Sequence, residues 1–348
     1  MFSKSIPALL LPWYRERARA LPWREDPTPY RVWLSEIMLQ QTRVEAVIPY
    51  YERFLSVFPT IESLAYADEA QLMKCWEGLG YYSRARNLKR AALSVMTDFG
   101  GIFPSRYEDI LSLSGIGEYT AGAIGSIAFG LPTPAVDGNV LRILARLARD
   151  ERDVLSPTVK KEYRTALSAL YPSGKEAGEL TQAFMEIGQT VCTASGAPKC
   201  QECPLASLCA SKEGAYTEIP HRAPKKARKI EKKTVFLFLH GDTFALSLRE
   251  KDSLLGGLWE FPNTEGHLSA DEAFAMAEAL GLSPLGAREI GEAKHIFTHL
   301  EWHMKGFLLP CEKKGGENLV FATEKEIRQS FAVASAFRYF KNFIAENG

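Results

Sequence analysis

The sequence has no apolar run close to the roughly 20 residues that a helix needs to cross a bilayer. It also lacks internal repeats and low-complexity tracts, and no small-residue cleavage site follows the short apolar stretch at residues 6–11. We therefore expect no membrane partner and no signal peptide. With 46% hydrophobic and 24% charged residues over 348 positions, the composition is that of a globular protein of about two domains.

An excess of charge of either sign is also absent, because 42 basic residues balance 42 acidic ones. The balance is uneven along the chain: residues 1–219 carry 24 basic and 25 acidic side chains, residues 220–233 carry 7 and 1, and residues 234–348 carry 11 and 16. The basic segment is interpreted as a linker, which we place at residues 219–233. Its charge either keeps a domain boundary in solution or lies along phosphate groups.

Cysteine is scarce, but four of the six cysteines fall close together. These four are Cys192, Cys200, Cys203 and Cys209, whereas Cys75 and Cys311 stand alone. A disulfide framework would suit a small secreted domain, which nothing else in the sequence indicates. A zinc ribbon usually has two Cys-x-x-Cys knuckles and this sequence has one, so the spacing favours an iron–sulfur cluster, with zinc as the alternative.

Residues 1–218 are predicted to form an all-α domain, and residues 234–348 an α+β domain. In the first, apolar residues recur at helical spacing in Val32–Tyr51, Ala70–Trp76, Leu88–Phe99, Tyr119–Phe129, Val140–Leu147 and Tyr163–Leu170. In the second, the pattern predicts strands at Thr234–His240, Thr243–Arg249, Lys294–Thr298 and Glu301–Leu309, and helices at Asp271–Leu280 and Phe331–Phe343. Gly241–Asp242 suits a hairpin turn between the first two strands.

Two glycines, Gly115 and Gly117, separate a helix predicted to end near Ser112 from one that begins near Glu118. Glycine lets the backbone approach a ligand closely, and the amides of a helix N-terminus donate to anions. The segment is either a helix–hairpin–helix phosphate clamp or a plain corner that needs glycine for its backbone angles.

Two acidic residues could supply acid–base chemistry. Glu36 lies in an apolar helix that Ser35 is expected to cap, on one stripe with Gln40 and Arg43. A carboxyl in such surroundings would have a raised pKa and could act as an acid, although the stripe could equally be the wet face of the helix. Asp137 precedes a predicted helix and is either its N-cap or a carboxylate aimed at a developing cation.

The segment Gly78–Asn87 joins a glycine turn to aromatic and basic side chains, among them Tyr81, Tyr82 and Arg84. Aromatic rings can wedge into a base stack while cations bind phosphates, so the segment suits DNA contact. The alternative is a loop whose tyrosines pack on the core.

The order of these features along nearly the whole chain resembles the endonuclease III superfamily of base-excision DNA glycosylases. Within it, four motifs are similar to the adenine DNA glycosylases of the MutY type: Ser35-Glu-Ile-Met-Leu-Gln-Gln-Thr, Gly80-Tyr-Tyr-Ser-Arg-Ala-Arg-Asn, Tyr119-Thr-Ala-Gly-Ala-Ile and Val136-Asp-Gly-Asn-Val. The resemblance implies a multi-domain fold, with an all-α helix–hairpin–helix glycosylase domain at 1–218 and a Nudix-like 8-oxoguanine recognition domain at 234–348. It also implies a monomer that is DNA-associated, in the cytoplasm or in the nucleus or mitochondrion of a eukaryote.

The reaction that the resemblance implies is hydrolysis of the N-glycosidic bond of adenine opposite 8-oxoguanine or guanine in double-stranded DNA. Glu36 would protonate N7 of the extruded adenine, and Asp137 would stabilise the cationic sugar. Tyr119 and Asn139 would support the charge on the sugar. These roles divide acid and anion between two carboxyl groups.

The resemblance also implies contacts to the substrate and cofactors. Arg24 would line the base pocket, while Gln41 and Tyr81 would probe the opposite strand. The hairpin glycines would bind the DNA backbone, and a monovalent or divalent cation is expected at the hairpin. The four clustered cysteines would hold a 4Fe–4S cluster.

One position separates two chemistries. Bifunctional glycosylase/lyases of this superfamily need a lysine amine for a Schiff base. Tyr119 stands at that position and no lysine occurs between Arg90 and Lys160, so water is the expected nucleophile. The alternatives are a glycosylase/lyase acting on oxidised pyrimidines, and a DNA-scanning iron–sulfur protein without catalysis.

The C-terminal domain is expected to bind rather than to hydrolyse. Its segment Gly256–Pro262 looks like the strand before a Nudix box, but the helix that follows lacks the Arg-Glu-x-x-Glu-Glu cluster that would hold Mg²⁺. In the family a Phe-Ser-His loop reads 8-oxoguanine, and here the loop is Phe297, Thr298 and His299. The bland alternative is a loop with surface histidines.

Two further departures from the family pattern are visible. Ser114 replaces the usual proline of the hairpin, which loosens the turn without removing its amides. Seven residues rather than the usual six lie between Cys192 and Cys200, which predicts a small bulge in the cysteine loop.

Overall fold

The chain divides into two units in the computed structural model, which describes residues 2–212, 214–221 and 227–347. The first unit comprises Met1–Ala67 and Arg86–Pro224, and the second comprises Asp68–Ala85 and Lys225–Gly348. Residues 222–226 of the predicted basic linker lie outside the described residues. The segment 68–85 was expected in the first domain, but its contacts place it with the second unit.

Helices form the first unit and the segment that precedes residue 86. In chain order they are α1 (Ile6–Arg17), α2 (Pro22–Glu25), α3 (Pro29–Met38), α4 (Val44–Val57), α5 (Ile61–Ala65), α6 (Glu69–Trp76), α7 (Ser83–Asp98), α8 (Tyr107–Ser112), α9 (Glu118–Phe129), α10 (Gly138–Ala148), α11 (Pro157–Ser168) and α12 (Lys175–Thr190). Short 3₁₀ turns follow at Cys200–Glu202, Ala206–Leu208 and Ala215–Thr217. The all-α prediction is confirmed, and none of the described helices is long and apolar enough to span a membrane.

Helix α12 organises the core of the first unit, because it packs against α1, α9 and α10. Leu10, Leu144, Phe184 and Ile187 from these helices belong to one buried apolar cluster. Each fully buried side chain of this size contributes roughly 1.5–3 kcal/mol from removal of apolar surface from water. The cluster thereby fixes α10 and α12, which carry polar residues discussed below.

Helix α9 lies unusually close to the extended chain that leads into α10. A Cβ atom at Gly122 would overlap the carbonyl oxygen of Pro134. The hydroxyl of Thr133 donates to the carbonyl of Gly122 at 3.3 Å. This close approach places Asp137, three residues after Pro134, beside the start of α9.

The predicted helix Val32–Tyr51 is divided in two, since α3 ends and α4 begins on either side of a five-residue loop. Gln41 in this loop has a φ of 57°, in the left-handed region that an α-helix does not contain. The prediction that Gln40 and Arg43 share a helical stripe with Glu36 is therefore wrong.

The predicted cap of α3 is also wrong. Ser35 lies inside the helix, where its hydroxyl donates to the carbonyl of Val32 at 2.9 Å. The helix instead begins with Pro29, whose missing N–H is not needed at a first helical position.

The second unit contains a mixed sheet. Its strands are β1 (Lys229–His240), β2 (Thr243–Leu248), β3 (Trp259–Glu260), β4 (Asn263–Glu265), β5 (Arg288–Ile296), β6 (Leu300–Pro310) and β7 (Leu319–Thr323), and its helices besides α6 are α13 (Ala270–Ala279), α14 (Glu324–Ser330) and α15 (Arg338–Asn347). The strand order is β3-β2-β1-β6-β5, with β4 on β1 and β7 on β2. Strands β1 and β6 run parallel and the other pairs antiparallel. The α+β prediction is confirmed.

The sheet packs helices on its two faces. Phe236, Phe238 and Phe307 form a cluster with buried alanines of α13. On the other face Phe340 of α15 lies against Gly306, where no Cβ atom would fit. The sheet therefore holds both helices through alternate residues of β1 and β6.

Several elements begin elsewhere than predicted, among them β5 at Arg288 and α11 at Pro157, and two others show why. Strand β1 starts at Lys229, inside the predicted linker, because it pairs with β6 from Leu300 onward. The last helix starts at Arg338, since residues 331–334 are extended and exchange backbone hydrogen bonds with Trp259. In both cases pairing with a strand distant in sequence overrides the local pattern.

Replacement of Gly122 by alanine is expected to lower the melting temperature of the first unit, because the new methyl group must displace backbone atoms of Pro134. Overpacking of this kind costs about 1–3 kcal/mol. Gly138→Ala is the matched control, since a Cβ atom there meets nothing within 4 Å. Thermal unfolding followed by far-ultraviolet circular dichroism checks the pair, and equal melting temperatures would contradict the close packing.

Candidate active site

Glu36 is a buried carboxyl group, only 5% exposed, on the apolar helix α3. Burial raises the pKa of Glu36 to about 7; the hydroxyl of Tyr119, hydrogen-bonded to the carboxyl, opposes the rise, Asp137 adds to it and Arg24 opposes it. Four residues that are far apart in sequence therefore lie within electrostatic range of one another. Near neutral pH a substantial fraction of Glu36 carries a proton that it can donate.

Tyr119, at the start of α9, is partly buried and lies beside this carboxyl group. Burial raises the pKa of Tyr119 well above its ordinary value, and the negative charges of Glu36 and Asp137 raise it further. The hydroxyl therefore stays protonated and acts as a hydrogen-bond donor to Glu36. Both carboxyl groups lie within electrostatic range of this hydroxyl.

Asp137 is the N-cap of α10. Its Oδ1 accepts the backbone N–H groups of Asn139 at 2.9 Å and Val140 at 2.8 Å, and its Oδ2 accepts the side-chain amide of Asn139 at 2.8 Å. These N–H donors and the helix N-terminus favour the negative charge. The two interpretations of Asp137, as a helix N-cap and as a carboxylate aimed at a cation, are therefore compatible, because the capping contacts hold the carboxylate at the start of α10.

The buried residue Arg142 extends this contact, and the sequence analysis missed it. Its Nη1 donates to the side-chain oxygen of Asn139 at 2.9 Å, while Nε and Nη2 donate to the carbonyl of Cys192 at 3.0 and 2.9 Å. A continuous hydrogen-bond path thus joins Asp137 to the backbone of the first clustered cysteine. The one sign of this contact in the sequence was the position of Arg142 among apolar residues of the predicted helix Val140–Leu147.

A pocket of about 440 Å³ opens beside Glu36. Its lining includes Arg19, Trp23, Arg24, Glu36, Gln182, Met185 and Gln189. The predicted pocket residue Arg24 is therefore present, next to the predicted acid. Trp23 and Met185 offer apolar surface to a flat ring, while the amides and guanidinium groups offer hydrogen bonds.

A buried ion cluster supports one wall of this pocket. Glu186 of α12 accepts from Arg19 at 2.5 Å and from Arg24 at 2.8 Å. Burial acts to raise the pKa of Glu186, but hydrogen bonds from Arg19 and Arg24 outweigh it and leave the pKa lowered. The sequence analysis missed Arg19 and Glu186, because a charge within an apolar helical pattern does not reveal its partner.

The hairpin before α9 needs one of its two glycines for shape. Gly115 has a φ of 78°, and a Cβ atom there would lie 2.6 Å from Cβ of Asn87. Gly117 has an extended backbone as the N-cap of α9 and meets no such limit. DNA contact by the hairpin and the expected cation there stay predictions.

The turn before α7 presents one aromatic side chain and encloses the others. Tyr81 is 46% exposed and has a φ of 47°. Tyr82 is buried, and its hydroxyl accepts the N–H of Gly78 at 3.2 Å. Arg84 is buried as well and donates to the carbonyls of Leu79 and Gly80. The side chains of Tyr82 and Arg84 hold the turn, and their contact with DNA stays a prediction.

The loop between β5 and β6 contains the three predicted recognition residues. Phe297 packs against Trp302 with ring centres 4.8 Å apart, and His299 is exposed. The hydroxyls of Thr298 and Tyr81 lie 3.2 Å apart, within hydrogen-bond distance. The second unit thus brings together Tyr81 and Thr298, which were both predicted to contact the opposite base. Gln41, the other residue predicted to probe the opposite strand, is exposed on the loop between α3 and α4.

The four clustered thiols line one cavity of about 340 Å³ and form no disulfide. Burial raises the pKa of Cys203 to about 11, and repulsion from the three other cysteines adds to the rise. Arg146 donates to the sulfur of Cys192 at 3.3 Å, and the buried hydroxyl of Ser211, on the same cavity, has no hydrogen-bond partner among the described residues. In the part of the chain that the structure describes, no three His, Cys, Asp or Glu side chains converge on a single ion. Four thiols on one cavity are a donor set that could hold an iron–sulfur cluster or a zinc ion.

Comparison with known proteins agrees with this architecture. A family model described as HhH-GPD superfamily base excision DNA repair protein matches residues 34–171, and a NUDIX domain model matches residues 234–342. A solved thermostable thymine-DNA glycosylase is 27% identical with a TM-score of 0.55, covering 60% of this chain and 96% of its own. A solved endonuclease III–DNA complex, 24% identical with a TM-score of 0.51 over 61% of this chain and 98% of its own, has the same fold. The fold and site are those of the helix–hairpin–helix class of base-excision repair proteins.

Curated relatives narrow the class. The adenine DNA glycosylase of Buchnera aphidicola subsp. Schizaphis graminum is 36% identical over 85% of either chain. Those of Arabidopsis thaliana and Homo sapiens are 35% and 33% identical over 90% and 84% of this chain. The chain belongs to the adenine DNA glycosylase family. It spans 58% and 64% of the length of the plant and human relatives.

Tyr119→Phe is expected to raise the pKa of Glu36 further, because the hydroxyl that lowers it is lost. The titration is followed by NMR of carboxyl-labelled glutamate, with a midpoint near pH 7 expected for the parent protein. Tyr163→Phe is the control, since this hydroxyl donates instead to Asp150. A parent midpoint near the ordinary glutamate value, or the same midpoint in both variants, would contradict the contact.

Proposed function

We propose that the protein is a monofunctional adenine DNA glycosylase, which hydrolyses the N-glycosidic bond of adenine opposite 8-oxoguanine or guanine in double-stranded DNA. The observation that carries the proposal is the burial of Glu36, with its raised pKa, beside Asp137 and a pocket that Arg24 also lines. The family relationship supports the same substrate, because the curated relatives are named for adenine.

The first step is extrusion of the adenine, since the reactive atoms of a base are enclosed in a duplex. The pocket beside Glu36 receives the ring, and Arg24 lines it. An adenine anion is a poor leaving group, so protonated Glu36 donates its proton to N7. The pKa of Glu36 near 7 keeps enough acid form for this step at neutral pH.

The second step is the attack of water on a sugar with oxocarbenium-like charge. Asp137 provides the opposing negative charge from a fixed position, since its oxygens accept N–H groups of α10. Asn139 holds the same carboxylate through its side-chain amide, and Tyr119 interacts electrostatically with both acids. The absence of lysine between Arg90 and Lys160 supports water as the nucleophile.

The second unit reads the base opposite the adenine in this proposal. Tyr81 and Thr298 share a hydrogen bond at an exposed position, and the loop that contains Thr298 also presents His299. The helix after the Nudix-like strand lacks the Mg²⁺-binding carboxylates, which supports a binding role rather than hydrolysis of a diphosphate. The amides of the hairpin and exposed residues of the basic linker contact DNA phosphates.

The four cysteines hold a 4Fe–4S cluster in this proposal. The cavity that they line and the buried donors of Arg146 and Ser211 support it. When bound, the cluster would cross-link the loop through four Fe–S bonds. This chain's own contribution is to hold that loop on α10, through the contacts of Arg142 and Arg146 with residues 192–193.

Metal analysis of the purified protein is expected to give iron and acid-labile sulfide in equal amounts, with a brown colour and near-visible absorption. Cys203→Ala should lose iron, because one of four ligands is removed. Cys75→Ala is the control, since that cysteine lies outside the cluster. Stoichiometric zinc without sulfide would contradict the proposal.

Glu36→Gln and Asp137→Asn are each expected to slow single-turnover adenine release by about 10²–10⁴-fold, the usual range for removal of a catalytic acid or charge. Both replacements are nearly isosteric, and asparagine remains a good N-cap. Duplex affinity should stay close to that of the parent protein. In the parent, the rate should fall as the pH rises through about 7, because ionised Glu36 cannot donate a proton.

The matched control for charge removal is Glu52→Gln, at an exposed carboxyl of α4. Substantial turnover by Glu36→Gln or Asp137→Asn would overturn the assigned roles. Trapping of a covalent adduct by borohydride on oxidised pyrimidine substrates would favour the glycosylase/lyase alternative. Failure of the parent protein to release adenine would favour the DNA-scanning alternative.

A further inference from the structure

The contact between Tyr81 and Thr298 belongs to a closed ring of contacts in the second unit. On one side the ring runs through the turn that carries Tyr81 back to Glu77, the C-cap of α6. On the other it runs from the loop of Thr298 through aromatic rings to α15. The two sides meet at an ion pair between Glu77 and Lys341.

The first side depends on a carboxylate that two lysines share. Oε1 of Glu77 lies 2.6 Å from Nζ of Lys341, and Oε2 lies 2.7 Å from Nζ of Lys74. Lys74 also donates to the carbonyl of Phe331 at 3.0 Å, just before the extended segment that leads to α15. The three charged side chains are only 18–23% exposed, so water screens them less than an open surface pair.

The second side is a path of ring contacts. Phe297, next to Thr298, packs against Trp302 at 4.8 Å, and Trp302 faces Phe337 at 6.1 Å. Phe337 ends the 3₁₀ turn Ser335–Phe337, directly before α15. Lys341 is on that helix, so the path returns to Glu77.

The turn that the ring holds has a strained backbone. Gly78 and Gly80 have φ values of 101° and 69°, and Tyr81 has 47° without being glycine. A non-glycine residue keeps such a conformation only when its surroundings determine it. Glu77 fixes the chain at the residue where this turn begins.

We propose that Glu77 and Lys341 are positioning residues that set how strongly the protein prefers 8-oxoguanine over guanine opposite the adenine. The inference rests on the proposed function and names the part of the second unit that controls its selectivity. The ion pair keeps Tyr81 and Thr298 at one separation, so that a base is read against a fixed pair of hydroxyls. Loss of the pair loosens the reading of the base and leaves the carboxylates of the first unit untouched.

The two partners are not equivalent. Without Lys341, Glu77 keeps Lys74 as a partner. Without the carboxylate of Glu77, Lys74 and Lys341 both lose the anion that they share. Glu77→Gln should therefore reduce selectivity more than Lys341→Gln, whereas Lys341→Arg, which keeps the charge opposite Glu77, should retain most of it.

The experiment measures two ratios on paired duplexes that contain 8-oxoguanine or guanine opposite the target. The first is the ratio of single-turnover adenine release rates, and the second is the ratio of dissociation constants for duplexes with an uncleavable fluorinated adenosine. Lys341→Gln should lower both ratios about three- to ten-fold, toward the lower end of the couplings measured between contacting residues, without changing release opposite guanine. Lys325→Gln, an exposed lysine of α14, is the control of equal charge. In the parent protein the ratios should fall as salt is raised.

The outcomes separate the two proposals. Ratios for Lys341→Gln equal to those of Lys325→Gln would overturn the positioning role, as would an equal loss on both duplexes with a lower melting temperature. A parent protein that releases no adenine but whose binding ratio falls in Lys341→Gln would overturn the glycosylase proposal and support the positioning role. Retention of selectivity by Lys341→Arg supports the ion pair itself, and a loss equal to that of Lys341→Gln would contradict it.

Discussion

Burial of a single carboxyl group is the constraint on which the candidate site depends. Glu36 is enclosed in the first unit, and burial is the main cause that raises its pKa to about 7. The same burial lowers the stability of the fold as the pH rises from 4.5, the ordinary glutamate value, to about 7, because over this range the unfolded chain loses the proton that the folded chain keeps. The hydroxyl of Tyr119 and the charge of Arg24 offset part of this cost. They are the groups that line or adjoin the pocket, so the contacts that stabilise the acid also define where a base can lie.

The surroundings of the second carboxyl group, that of Asp137, favour its charged form instead of its neutral form. Asp137 sits at a helix N-terminus among N–H donors, in surroundings that favour negative charge. The close packing at Gly122 brings this helix start to the buried acid. Its support continues through Arg142 to the backbone at Cys192, so the geometry of the carboxylate depends on the loop that holds the four cysteines. Asp137 is therefore both the N-cap of α10 and the proposed catalytic carboxylate, because the capping hydrogen bonds hold its charge in a fixed position.

Local patterns predicted the two fold classes, the start of α9 and the acidic residues, because each depends on nearby spacing or on one residue type. The sequence could not predict contacts between distant segments. The sequence did not predict the break between α3 and α4 at Gln41, because the helical spacing of apolar residues continues across it. The enclosure of Arg84 was missed because an arginine that binds carbonyls and one that binds phosphates have the same sequence context. Glu186 was missed for the same reason, as its two arginine partners lie on elements more than 160 residues away.

The candidate acid and the side chains proposed to read the opposite base belong to different units of the chain. The candidate acid, its hydroxyl partner and the carboxylate belong to the first unit, whereas Tyr81 and Thr298 belong to the second although 217 positions separate them. The segment 68–85 interrupts the first unit in sequence and groups with the second. The hydroxyls of Tyr81 and Thr298 therefore come together within the second unit alone. A contact formed within one unit does not depend on the arrangement of the other. Under the proposed function, the residue at position 298, which is threonine here and serine in the family pattern, can therefore change the preference for the opposite base. Such a change leaves the buried carboxyl of Glu36 and its pKa as they are.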